Sequence, residues 1–315
     1  MPIIELDNLT KRYGSITAIE GVTLSVRPGV VGLLGPNGAG KSTLIGILLG
    51  HTQPTEGTGS VLGHDIRSEQ YAIRQKIGFV PENDCFIPNM TGVGYVHYAA
   101  RLSGMDYSSA MQRTHEALDV AGMESERYRR VDTYSTGMKQ RAKVAQALVH
   151  DPELILLDEP TNGLDPQGRR MMLALIRDLG RQGMSVVLSS HLLHDVEEVC
   201  DHVIVLGHGR VLLTGEVSEL MRPSANRCLV RFRGDEDAFT DSLRRQGVEM
   251  LGRANAHWEL VLPEDGAFDR VIAAAAESSV QLRELRPQRS SLEQTFLSAI
   301  EAQRGGGGEA LLEVQ

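Results

Sequence analysis

The run Gly35-Pro-Asn-Gly-Ala-Gly-Lys-Ser-Thr43 constrains this chain more than any other feature. It fits the pattern G-x-x-x-x-G-K-[ST], comes after the apolar stretch VVGLL and precedes the helical STLIGILLG, the strand-loop-helix setting that the pattern requires. Glycines here let backbone N–H groups come close to phosphates, and the helix N-terminus behind them adds its dipole. Lys41 is expected to reach β- and γ-phosphates and Ser42 to ligate magnesium, with Pro36, Asn37, Gly38, Ala39, Gly40 and Thr43 completing the cradle. A buried strand feeding straight into such a helix favours an α/β fold with a mostly parallel sheet.

A second element, LILLDEP, is an apolar strand ending in Asp158 and Glu159. Two acids at that place can project beside the phosphate loop, one holding magnesium through water and one polarising an attacking water. Alone, acids ending a strand read more often as a turn cap, and only the phosphate loop ahead of them reverses that. Together the two motifs describe a P-loop NTPase.

The segment Tyr134-Ser-Thr-Gly-Met-Lys-Gln-Arg141, just before the acids, narrows the class. Here the sequence resembles the ATP-binding-cassette (ABC) family, whose signature usually reads Leu-Ser-Gly-Gly-Gln. Ser135 and Gly137 match that signature; Tyr134, Thr136 and Met138 depart from it. The YSTGM form is similar to the branch that exports drugs, polysaccharides or lipids through a separate permease. The other family elements fall in order between about Ile3 and Gly215. Tyr13 stands where an aromatic stacks on adenine, Asn162-Gly-Leu-Asp165 comes after the acids, and His191 ends VVLSSH.

The resemblance implies binding of ATP and Mg2+. It makes Glu159, His191 and Lys41 the catalytic set and Ser42, Glu82 and Asp158 the metal ligands. Ser135, Thr136, Gly137, Met138, Asp165, Tyr13 and the loop Gly35 to Thr43 become nucleotide contacts. Glu82 is itself a departure, because the loop after IGFVP usually offers a glutamine to magnesium. A carboxylate can also ligate the metal, but its charge either tightens that hold or asks for compensation from Lys41. Without the family, Ser135 reads simply as the N-cap of the next helix, and a capped helix N-terminus also binds phosphate.

The runs VVGLLG, ELILLDEP, SVVLSSH and HVIVLGHG read as buried parallel strands, IIELDNLTKRYG and VTLSVRP as an antiparallel edge sheet, and Glu82 to Gln146 as a helical subdomain. Pro223, Ser224 and Asn226 mark a linker, so the expected division is a nucleotide-binding domain over 1–222, an accessory α+β domain over 223–304 and a flexible tail over 305–315. The accessory domain reads strand (CLVRFR), helix, strand (VEMLG), strand (HWELVL), helix, strand (VQLREL), the β-α-β-β-α-β order of ferredoxin-like folds. Trp258 alternates there with Leu260 and Leu262, as a core residue does. A last helix is expected from Ser290, whose spacing to Glu293 is that of a capping box.

A net charge of -9 and the lack of a basic patch speak against nucleic acid as a partner. Cys85, Cys200 and Cys228 lack paired spacing, which fits neither a disulfide framework nor a zinc site, and suits a reducing cytoplasm. The opening MPIIELDNLTKRYG lacks the apolar core of a signal peptide, and no window approaches the ~20 apolar residues of a membrane helix. The expected place is therefore the cytoplasmic face of the membrane, through an integral-membrane permease. In the family, the signature of one subunit closes over the nucleotide of the other, and one chain here carries one set of motifs. A homodimer with two equivalent sites is therefore expected. Two other readings remain: a soluble ABC ATPase of translation or DNA repair, and a nucleotide-dependent interaction module with little turnover. The former usually carries two cassettes or a long coiled-coil insertion, and an intact Glu159 and His191 weigh against the latter.

Overall fold

Continuous apolar runs become interior strands. In the computed structural model, β3 (Val30–Leu34), β7 (Leu154–Asp158) and β8 (Ser185–Ser190) are buried along their whole length, as parallel strands covered on both faces must be. With β6 (Ile77–Val80) and β9 (His202–Gly207) they form the parallel part of one sheet, in the order β9-β3-β8-β7-β6. Strand β10 (Arg210–Glu216) closes the β9 side antiparallel. A second, antiparallel sheet has the order β2-β1-β4-β5, from β1 (Ile4–Tyr13), β2 (Ile16–Val26), β4 (Glu56–Val61) and β5 (His64–Asp65). Leu9, Ile19, Val61, Leu33, Ile45 and Ile47 join one core between this sheet and helix α1 (Lys41–Leu48).

Helix α2 (Gln70–Lys76) leads into β6. The stretch after β6 is helical, with α3 (Gly92–Leu102), α4 (Tyr107–Val120) and α5 (Thr136–Leu148). Each starts on a side-chain cap, from Thr91, Asp106 and Ser135 in turn. Helix α6 (Pro166–Arg181) is capped by Asp165 and has Pro166 in its first turn, where a missing N–H costs nothing. Helix α7 (Leu193–Val199) completes this part, and the short α8 (Val217–Leu220) follows β10 in the chain.

The structure describes residues 1–221, 223–254, 257–263, 267–289 and 312–313, which divide into a first unit of Met1–Val217 with 312–313 and a second of the residues from Ser218 to Arg289. The second unit runs β11 (Pro223–Arg233), α9 (Glu236–Arg245), β12 (Glu249–Ala254), β13 (His257–Val261), α10 (Phe268–Glu277) and β14 (Gln281–Arg289). Its sheet order, β12-β13-β11-β14 with every neighbour antiparallel, is that of a ferredoxin-like fold. Phe239, Leu243, Val271, Leu260 and Val230 form its own core, with Trp258 packed against it.

The stretch read from sequence as a linker at Pro223 to Asn226 is instead the start of β11. Proline is tolerated at a strand's first residue because the N–H it lacks need not join the ladder there. The helix expected from Ser290 lies outside the described residues. Of the tail, only β15 (Leu312–Glu313) is described, paired parallel with Leu213 and Thr214 of β10. Among the described residues no helix is long and apolar enough to cross a membrane.

Candidate functional site

Register brings the chemistry to one end of the sheet. Leu34 pairs with Ser190, Leu157 with Leu188 and with Val80, and Asp158 with Ser189. The residues that leave these strands, namely the loop after Leu34, Glu82, Glu159 and His191, therefore emerge side by side at the carboxyl ends, where ligands of parallel sheets bind. They line a cleft of about 570 Å³ with Tyr13, Pro36 to Thr43, Asp158 and Asn162.

The loop's shape depends on glycine at two places. Gly38 and Gly40 have φ of 82° and 105°, and a β-carbon on Gly40 would stand 2.7 Å from the carbonyl oxygen of Ala18. Lys41 is buried, and its Nζ donates to the carbonyl of Gly35 at 2.6 Å and lies 3.5 Å from Glu159 Oε1. That carbonyl places Gly35 at the base of the cradle. At the cleft's mouth, Tyr13 is 48% exposed, with Lys11 Nζ 4.7 Å from its ring centre.

The two acids are held by one serine. Ser189 Oγ donates to Asp158 Oδ1 at 2.5 Å and accepts from Glu159 N at 3.1 Å. Glu159 turns out of β7 at φ 48°, a backbone strain for a non-glycine residue. His191 Nδ1 then meets Glu159 Oε2 at 2.8 Å. Asn162 Nδ2 donates to Glu82 Oε1 at 3.1 Å. Burial raises the Asp158 carboxyl above its ordinary value; Ser189 opposes the rise, and the charges of Glu82 and Glu159 add to it.

Three carboxylates facing one lysine suit a divalent cation. The donor set is all oxygen, from Ser42, Glu82 and Asp158, which suits Mg2+. Among the described residues no group of three or more His, Cys, Asp or Glu makes a metal cage. Mg2+ is commonly held by one or two carboxylates together with substrate phosphates, so the residues fit it.

The remaining expected contacts stand apart. Ser135, Thr136, Gly137, Met138 and Asp165 line a second cleft, of about 370 Å³, with Arg141 and Gly163. Ser135 Oγ accepts from Met138 N at 3.3 Å, the cap read from sequence. Asp165 Oδ1 likewise accepts from Gly168 N. Behind them the fully buried Asp195 accepts from Thr161 Oγ1 at 2.5 Å and from Arg169 Nε at 2.6 Å, tying α7, just after His191, to the Asp165 turn.

Sequence reasoning missed Ser189, Asp195 and Lys143. For Ser189 a signal existed, two serines ending an otherwise apolar strand. Lys143 on α5 is fully buried and donates to the carbonyls of Pro81 and Glu82; burial lowers its pKa, and the charges of Cys85, Asp84 and Glu82 oppose that.

A family model described as ABC transporter matches residues 19–162. The linearmycin resistance ATP-binding protein LnrL of Bacillus subtilis (strain 168) is 31% identical over 306 residues, covering 94% of this chain and 97% of that protein. The daunorubicin/doxorubicin resistance ATP-binding protein DrrA of Streptomyces peucetius is 32% identical over 303 residues, covering 94% and 91%. Among solved structures, the dimeric ABC transporter cassette MJ0796 matches with a TM-score of 0.62 at 29% identity, over 68% of this chain and 98% of that one. The same cassette in a post-hydrolysis state, bound to ADP and Pi, matches with the same TM-score at 28% identity.

Proposed function

The chain belongs to the ABC transporter family and is an ATPase that powers a transporter, and from that premise we propose that it works as the export-type subunit of a two-fold pair docked on a separate membrane permease. The observation that carries the paired reading is the separation of the two clefts. Lys41, Glu159 and His191 line one, while Ser135, Gly137 and Asp165 line the other. In a two-fold dimer each signature cleft would face the partner's phosphate loop, an isologous arrangement. The dimeric state of MJ0796 supports it.

Within each site, Lys41 supplies the cation for the β- and γ-phosphates, the loop amides line the phosphate chain and Tyr13 stacks on adenine. Ser42, Asp158 and Glu82 would hold Mg2+, which when bound would supply neutralisation of phosphate charge. Glu159 accepts a hydrogen bond from the attacking water and orients it, and its own orientation is fixed by His191 Nδ1. The other ring nitrogen of His191 is left for the terminal phosphate. Two ATP molecules then favour the closed pair through contacts made only there, and hydrolysis removes that preference.

Export as the direction rests on LnrL and DrrA, both named for drug resistance and both matched over 94% of this chain, C-terminal unit included. MJ0796, by contrast, spans only 68% of it. We read the region 223–304 as an accessory domain, a reading that the 94% coverage by the two resistance proteins supports, and assign it to bracing or regulating the pair. The chain acts at the cytoplasmic face of the membrane, held there by the permease, with the loop around Glu82 and α3 as the transmitting surface.

Glu159→Gln tests the site directly. The variant is expected to bind ATP, release no phosphate and elute as a dimer in size-exclusion chromatography with ATP. Turnover at the wild-type rate would remove Glu159 from this role.

A further inference from the structure

Among the largest fully buried side chains of the described residues, one belongs to a lysine, Lys143. Lys143 lies on α5 about two turns beyond the Ser135 cap. Its ammonium donates to the carbonyl of Pro81 at 2.7 Å and of Glu82 at 3.0 Å, and reaches that of Asn83 at 3.5 Å. One turn earlier on the same face, Lys139 pairs with Asp84 at 2.5 Å. Two lysines of one helix therefore grip four consecutive residues of the loop after β6.

Lysine is almost never fully buried without compensation, because desolvating an ammonium is costly. Here the compensation comes from backbone carbonyls, whose partial negative charges stand in for water. Such a grip fixes the backbone at Glu82 and leaves only its side chain free to turn. That side chain lies on the cleft side, where its Oε1 accepts from Asn162 and its charge raises the Asp158 carboxyl. An uncharged residue at 143 could fill the same volume, but it could neither hold the three carbonyls nor offset the carboxylate in front of them.

We propose that Lys143 is a positioning residue for Glu82: from within the signature helix it holds the 81–83 backbone so that the Glu82 carboxylate faces Asp158, and its charge offsets that carboxylate. The loop that presents Glu82 is thereby fastened to the helix that presents Ser135. This rests on the reading that Glu82 works at the nucleotide site.

The test uses the full chain, ATP and a series of Mg2+ concentrations, with calorimetric binding as one readout and amide hydrogen exchange over residues 81–85 as the other. Lys143→Met is expected to raise the Mg2+ needed for half-maximal ATP binding about ten-fold, the scale of losing a partner that orients a ligand, and to speed exchange in the loop. In a chain that also carries E82Q, adding K143M is expected to change the Mg2+ requirement less than about two-fold, because sites acting through one group are not additive. Should K143M fail to fold, Lys139→Gln loosens the same loop from its surface side and is expected to shift both readouts in the same direction. Equal shifts with and without E82Q, or no shift in either readout, would overturn the proposal. E82Q alone leaving the Mg2+ requirement unchanged would instead overturn the reading of Glu82 beneath it, while loop exchange would still report the grip of Lys143.

Discussion

Replacing Ser189 by alanine removes one hydroxyl from the centre of the site. Glu159 N keeps a partner, the Ser189 carbonyl at 3.2 Å, so the loss falls on Asp158, whose Oδ1 accepts from that hydroxyl. A hydrogen bond to a charged group contributes about 1.5–3 kcal/mol, and at this buried pair we expect about 2 kcal/mol. For a unit of this size that lowers Tm by roughly 4–8 °C. The effect depends on pH in a defined sense. Burial holds the folded Asp158 carboxyl above 3.8, so Asp158 itself contributes stability that is full below that value and is lost as pH rises through the folded pKa. The Ser189 hydrogen bond acts the other way. It favours the ionised form, so its contribution is present above the folded pKa and fades as pH falls through it. The gap between wild type and S189A should be widest near neutral pH and close toward 3.8. Thermal unfolding followed by circular dichroism in EDTA, across that range, measures it. A gap under about 0.5 kcal/mol at neutral pH, below even a neutral hydrogen bond's typical contribution, would refute the reasoning. A gap that widens toward acid would do the same.

Tyr13→Ala should raise the Kd for ATP about ten-fold, since stacking a base on an aromatic ring contributes about 1–3 kcal/mol, whereas Tyr13→Trp should keep affinity. Calorimetry distinguishes them. Phe239 is fully buried and meets Phe232 edge-on at 4.6 Å, so Phe239→Ala should cost the second unit about 3–5 kcal/mol and melt it early. ATP affinity should be untouched in that variant, and an unchanged melting profile would contradict an independent core. A chain ending at Arg222 should dimerise more weakly or hydrolyse ATP at a changed rate, and no effect on either would count against the accessory role.

Much of this fold could be read from the sequence because parallel strands covered on both faces have little freedom in composition. Val30–Leu34 and Leu154–Asp158 announce themselves as unbroken apolar runs, and the glycine loop after the first dictates a helix behind it. The second unit was legible for a similar reason, since each of its helices and strands has a clean period. The start of β11 was not, because Pro223 and Asn226 carry turn signals that tertiary pairing overrides at the first positions of a strand. Ser189 escaped notice because its meaning lies in register. Only the pairing of β7 with β8 sets it against Asp158, 31 residues away in sequence. Lys143 looks like any cation on a polar helix until the fold wraps the Pro81 to Asn83 carbonyls around it. Glu159's left-handed backbone is likewise set by the surroundings of the turn.

The central claim is that each ATP is hydrolysed between the phosphate loop of one chain and the signature of another. Mixing two inactive variants, K41A and S135R, measures this most directly. Each homodimer carries two broken sites, whereas a mixed pair carries one intact site and one doubly broken. With equal amounts and random exchange, half the pairs are mixed, and ATPase activity should recover to about a quarter of the wild-type value, as an isologous interface requires. No recovery, from variants shown to exchange partners, would contradict the claim.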